Sequence, residues 1–94
     1  MLYLLFYTYG ENVLERRAPY RAEHLGLADQ YHADGRIVLA GAYTDPLDGA
    51  LLVFTSREAA EAFIAADPYV SSGLVTGWRI REWTVVVGAA AAPA

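Results

Sequence analysis

The stretch Arg36-Ile-Val-Leu-Ala-Gly-Ala-Tyr43, followed by Asp45-Pro-Leu-Asp-Gly49 and then Ala50-Leu-Leu-Val-Phe54, decides the fold. Its first part is β-branched and apolar around Gly41, its middle is a turn signal, and its last part is a second apolar run, so it predicts two neighbouring strands joined by a hairpin. What flanks this hairpin is helical on both sides. Upstream, Tyr20 to Asp34 has few breakers, with Leu25, Ala28 and Tyr31 at helical spacing and Arg21 and His24 beside them. Pro19 suits its first turn, and Gly35 is a good stop because glycine takes the left-handed conformation without a Cβ penalty. Downstream, Thr55-Ser-Arg-Glu58 fits a capping box, and Ala59, Ala60, Phe63 and Ile64 supply an apolar stripe. That second helix should end near Asp67, since the residue before a proline avoids the helical region.

Further outward lie two more strands. Leu2 to Tyr9 is short, apolar and aromatic, with Tyr3, Leu5, Tyr7 and Tyr9 on one face, and a polar stretch holding Arg16 and Arg17 follows it. After a Pro68 to Gly73 loop, Leu74 to Val87 reads as a long strand whose alternation slips near Glu82, the mark of a bulge. The order is therefore β-α-β-β-α-β, an α+β fold of the split βαβ (ferredoxin-like) kind: an antiparallel sheet with two helices on one face. Residues 1–87 form one domain in this reading, and the alanine-rich tail 88–94 is expected to be disordered.

At 94 residues, 55% of them hydrophobic and 13% aromatic, the chain carries more apolar surface than one small core hides. The sheet face opposite the helices has no cover in this topology, so a homodimer joined through it is expected. Eleven acidic against seven basic residues give a net charge of −4, which argues against a nucleic-acid partner because phosphate binding draws on Lys and Arg. The apolar start, Met1 to Tyr7, lacks a basic leader region and a cleavage site and is too short to span a bilayer; no membrane partner and a cytoplasmic location are the expectation. With no cysteine there is no disulfide, thiolate nucleophile or thiolate-bound zinc.

His24 and Asp67 are the sharpest candidates for chemistry. Histidine is the side chain whose ordinary pKa lies nearest neutrality, and an aspartate bonded to one ring nitrogen leaves the other free to act as general base. The alternatives are a histidine that merely ties helix to sheet and an Asp-Pro turn whose carboxylate caps the next amides. Arg21, one helical turn before His24, is a candidate for holding a ligand carboxylate or phenolate. Tyr69, Ser72 and Gly73 offer a hydroxyl, a second hydroxyl and a backbone N–H to a substrate. His32, near the fraying end of its helix, is expected to be solvated. His24, His32 and scattered acids are too thin a set for a metal site, and no phosphate loop or dinucleotide fingerprint occurs, so no metal or cofactor is expected.

In this order the aromatic first strand, Arg21-Ala-Glu-His24-Leu25, Gly35 with the strand to Gly41, the Thr55 to Ala62 helix start, Asp67-Pro68-Tyr69, Gly73 and the Trp83 strand resemble the YCII-related (YciI-like) family. The resemblance spans nearly the whole chain and implies a dimeric α+β barrel allied in fold to muconolactone isomerase. It also implies a pocket where a helix histidine meets the aspartate of the Asp-Pro-Tyr segment, roles that fall on His24 and Asp67. A dehydrochlorinase acting on a chlorinated hydroxyquinol is similar to the family. One departure is Gly41-Ala42, where the family often has Gly-Pro at the pocket rim. Two functional readings follow: an acid/base enzyme performing elimination or isomerisation on a small cyclic or aromatic substrate, or a non-catalytic dimeric module that binds a small ligand or regulates a partner.

Overall fold

The computed structural model describes residues 1–88. The elements run β1 (Leu2–Tyr9), α1 (Val13–Arg17), α2 (Arg21–Ala33), β2 (Ile37–Ala42), β3 (Gly49–Phe54), α3 (Arg57–Ala66), α4 (Pro68–Ser71) and β4 (Val75–Trp83). All pairings are antiparallel, and the strand order β2-β3-β1-β4 is that of the expected split βαβ sheet.

The pairing register sorts the strands into two faces. Tyr3, Leu5 and Tyr7 lie opposite Phe54, Leu52 and Ala50 of β3, and these residues face the helices. There they meet Tyr31 of α2 and Phe63 of α3, whose rings stand edge to face at 5.2 Å, so one aromatic core joins both helices to the sheet. Gly49 is obligatory at the start of β3, because a Cβ there would collide with the carbonyl oxygen of Tyr7.

The opposite face is not wholly bare, as the sequence had suggested. Past the end of β4, Val85 turns in over Leu2 and Val53 to form a second small cluster, with Leu4 and Leu51 against it. This shortens β4 relative to the expected Leu74 to Val87: the ladder stops where Trp83 meets Leu2 at the beginning of β1. The irregularity in β4 also lies at its other end, opposite Thr8 and Tyr9, rather than near Glu82.

Three local expectations shift by a residue or a turn. Val13–Arg17 is helical, started by Asn12 in the left-handed conformation (φ 58°) and anchored by buried Val13, so Pro19 sits in the turn between α1 and α2. The side chain that caps α3 is Ser56, whose Oγ accepts from Ala59 N–H at 3.1 Å, while Thr55 Oγ1 donates to the Gly35 carbonyl at 3.2 Å. Residues 68–71 form a helical turn rather than a loop. Among the described residues no helix is long and apolar enough to cross a membrane. Apart from Gly88, the expected tail 88–94 falls outside the described residues.

Candidate active site

Asp67 occupies the joint between α3 and α4. It closes α3 by donating its backbone N–H to the Phe63 carbonyl, and it opens α4 by accepting Tyr69 N–H on its own Oδ1 at 3.0 Å. Pro68 fixes this joint, since it cannot continue α3 yet suits the first position of α4. The carboxylate is completely buried. Its Oδ1 also accepts from His24 Nδ1 at 2.8 Å, and its Oδ2 accepts from the Tyr7 hydroxyl at 2.8 Å. The turn-forming role and the histidine-orienting role therefore belong to one side chain.

His24 lies in the first turns of α2, and its ring is fixed on three sides. It stacks on Tyr69 with centroids 3.8 Å apart and planes 3° from parallel, and it meets Phe63 edge to face at 6.0 Å. Asp67 sets the tautomer: a carboxylate only accepts, so Nδ1 carries the hydrogen, and in the neutral ring Nε2 keeps the lone pair. The side chain is 12% exposed and lines the main cavity, and Nε2 has no hydrogen-bond partner among the described residues. An oriented imidazole with its free nitrogen at a cavity is the arrangement a general base needs.

The cavity encloses about 480 Å³ between α2 and edge strand β2. Arg17, Arg21, His24 and Leu25 form one wall, the β2 residues through Gly41 and Ala42 another, and Tyr9 and Tyr69 close its inner end. Asp67 stands behind His24 and does not line it. Arg21 and Tyr69 lie where the sequence suggested a ligand would be held. Ser72 and Gly73 do not line the cavity: the Ser72 hydroxyl bonds the Tyr69 carbonyl, Gly73 N–H bonds the Val70 carbonyl, and the Gly73 carbonyl accepts from Arg16, so their polar groups are consumed by the turn.

Tyr7, Tyr9 and Arg17 were not among the sequence candidates. Tyr7 and Tyr9 read as packing residues of a strand face, and nothing in their spacing tells which phenol tip will meet a carboxylate. Burial, reinforced by the Asp67 charge, holds the Tyr7 hydroxyl far above the usual tyrosine range, so it remains a donor to Asp67. Burial likewise pushes Tyr9 up to about 12, with Arg17 and Arg21 pulling the other way. Tyr69 is raised by burial and drawn down by Arg21 and then Arg17. His32 is exposed, as expected, and its Nδ1 also bonds the Ile37 carbonyl at 2.9 Å, which ties the end of α2 to β2. Among the described residues no three His, Cys, Asp or Glu side chains converge as a metal site requires.

The family model for the YCII-related domain matches residues 1–84. Protein YciI of Escherichia coli O6:H1 is 34% identical, over 79% of this chain and 87% of the relative, and protein YciI of Shigella flexneri matches to the same extent. Among solved structures, 5-chloro-2-hydroxyhydroquinone dehydrochlorinase from Burkholderia phenoliruptrix, in complex with 2,5-dihydroxybenzoquinone, superposes with a TM-score of 0.71 at 23% identity, covering 90% of this chain and 95% of that one. At that identity the likeness establishes the shared α+β fold. With the family model spanning nearly its full length and relatives matched along most of theirs, the chain belongs to the YCII-related family.

Proposed function

We propose that residues 1–87 form one catalytic domain in which His24 is the general base or acid and Asp67 its orienting partner. The observation that carries this is the 2.8 Å contact from His24 Nδ1 to a buried, triply bonded carboxylate, with Nε2 left toward the cavity. The substrate class is a small cyclic or aromatic molecule, which suits a cavity of about 480 Å³ walled by tyrosines and aliphatic residues. In an elimination, Nε2 takes a proton from a ring carbon of the substrate's non-aromatic keto tautomer, the C–H electron pair becomes the new double bond, and the leaving group departs from the adjacent carbon with its own pair. In an isomerisation the same nitrogen returns the proton at another position. Neither route needs a metal or cofactor. The dehydrochlorinase of similar fold supports elimination of chloride as the first reaction to test.

Incubation with 5-chloro-2-hydroxyhydroquinone and related chlorinated hydroxyquinols, followed by chloride release, tests the proposal. Turnover by the native chain that falls by about 10²-fold or more in His24→Ala, with folding intact, is the expected result. A variant that keeps full turnover removes His24 from the chemistry. The non-catalytic ligand-binding reading draws on the same stack of His24 on Tyr69 and Phe63, because such a ring can serve packing alone. It predicts no turnover and a marked loss of thermal stability in His24→Ala.

We also propose that the chain pairs as a homodimer through the open sheet face, where Leu4, Phe6 and Leu51 are half-buried and Trp83 is exposed. Light scattering should give twice the chain mass of 10.3 kDa, and Leu51→Arg should return it to one chain. A monomer at every concentration would overturn the pairing.

A further inference from the structure

Resting on the active-site reading above, we infer that the basic end of the cavity is an anion subsite. The Tyr69 hydroxyl and the Arg21 guanidinium, with Arg17 behind them, hold an ionised oxygen of the substrate beside His24.

The cavity wall is electrically lopsided. Arg17 and Arg21 lie toward the N-terminal end of α2, and Asp29 and His32 lie about two and three turns further along it. Neither guanidinium makes an ion pair among the described residues, although the chain as a whole carries a net charge of −4. Two uncompensated cations at one end of a pocket in an acidic protein form a local field that favours a negative ligand.

Tyr69 supplies the second, independent observation. Its side chain is 2% exposed, and its hydroxyl is the buried side-chain polar atom left without a hydrogen-bond partner among the described residues. A buried O–H with no acceptor is costly, so it calls for an explanation. What the hydroxyl lacks is an acceptor. The Arg21 guanidinium, which acts on it as a hydrogen-bond donor and a charge, and Arg17, which acts by charge, are donors only, and both Asp67 oxygens are already engaged, so the O–H itself meets no acceptor. An anionic oxygen placed between Tyr69 and Arg21 accepts from both and satisfies the hydroxyl. Arg21 is itself exposed and on a flexible stem, so it can turn aside to admit that oxygen.

The geometry then connects binding to chemistry. Because the Tyr69 ring lies flat on His24 at 3.8 Å, its hydroxyl and Nε2 hold a fixed relation along one wall. A ring anchored by its ionised oxygen presents a neighbouring C–H to Nε2. The negative charge that reaches the substrate when His24 takes the proton falls near two guanidiniums, which is where it is best stabilised. The substrate class is thus a small ring bearing a carboxylate or an ionised phenolic or enolic oxygen.

NMR titration of the labelled full chain tests this with three probes: benzoate, 2,4-dinitrophenolate and the neutral benzamide. At least one anion should bind about tenfold or more tightly than benzamide, and the tighter of the two identifies carboxylate or phenolate as the preferred source. Arg21→Met, a change at an exposed side chain, should erase that preference. Tyr69→Phe, which keeps the stacked ring, should weaken the anion by a smaller factor. Benzamide binding as tightly as both anions, or Arg21→Met with the preference intact, would overturn the subsite. His24→Asn separates the two proposals: anion preference retained in that variant supports the subsite whether or not His24 proves catalytic, and its loss counts against a subsite built from Tyr69 and Arg21.

Discussion

The two long helices lie over one sheet yet meet it differently. α3 is capped by Ser56 and buries Ala59, Ala60, Phe63 and Ile64, a continuous stripe pressed on the core. α2 is longer, has no side-chain cap at its start and buries only Tyr31. Leu25, on its expected apolar stripe, is 43% exposed and lines the cavity instead. Separation of tasks explains the difference: the helix that packs flush ends in the buried orienting group, Asp67, while the helix whose N-terminal part stands off from β2 carries the group that meets a ligand, His24. A pocket in so small a fold needs one element that packs over only part of its length, and α2, held near its C-terminal end by Tyr31 and His32, is that element.

The largest effect that could break this comparison is a core truncation. Phe63→Ala removes a ring that touches Tyr31, Phe54 and His24, and urea unfolding should show a loss of about 3–5 kcal/mol. Leu25→Ala, which empties only cavity lining, should cost within about 0.5 kcal/mol. Comparable losses at both positions would mean that α2 packs as α3 does. Phe63→Ala should in addition loosen the His24 ring, so ligand binding and stability fall together there and separate at Leu25.

Next in size is an alkaline effect that tests how dry the space between the helices and β1 is. Tyr9 is held at about 12 in the fold against an ordinary 10.0, by burial first and by Tyr69 and Asp67 after it. A raised folded value means that this stabilisation is fully present below pH 10 and is lost as the pH climbs toward 12, because the unfolded chain then releases a proton the folded chain retains. Tyr7 and Tyr69 move in the same direction. Stability should fall across that window by on the order of 2–3 kcal/mol from Tyr9 alone, and Tyr9→Phe should make the fall shallower. A flat profile in the native chain would show that water reaches these hydroxyls.

Much of this is legible in the sequence alone. The bounds of β1, the hairpin of β2 and β3 and the span of α2 follow from apolar runs separated by strong breakers, and Pro68 alone predicts where α3 stops. Signals shorter than one period were not legible. Val13–Arg17 is too brief to show helical spacing, and Thr55 and Ser56 are equally good caps on paper, so only the competing bond from Thr55 to Gly35 decides between them. β4 lies at the sheet edge with most of its residues exposed, which blurs the alternation that would have marked its end. At the site, His24 and Asp67 stood out by residue type and Tyr69 by its hydroxyl, whereas Tyr7 looked like any aromatic strand residue and nothing in the sequence told that the Tyr69 ring would stack on His24. Ser72 and Gly73 looked available because a sequence shows that a hydroxyl or N–H exists and not what it already bonds.

The smallest predicted effect bears on α2 itself. Gly26 sits within that helix, and a Cβ built there meets nothing within 4 Å. Glycine in a helix interior costs about 0.5–1 kcal/mol relative to alanine, because the unfolded chain has more conformational freedom to lose. Gly26→Ala should therefore raise the unfolding free energy measured in urea by that amount, and since residue 26 does not line the cavity, ligand affinity should stay unchanged. This outcome would show that α2 stands off from β2 because of what its side chains face and not because its backbone is slack. If affinity or turnover drops while stability rises, the looseness of α2 is itself part of admitting the ligand, and the contrast with α3 becomes one of motion as well as of packing.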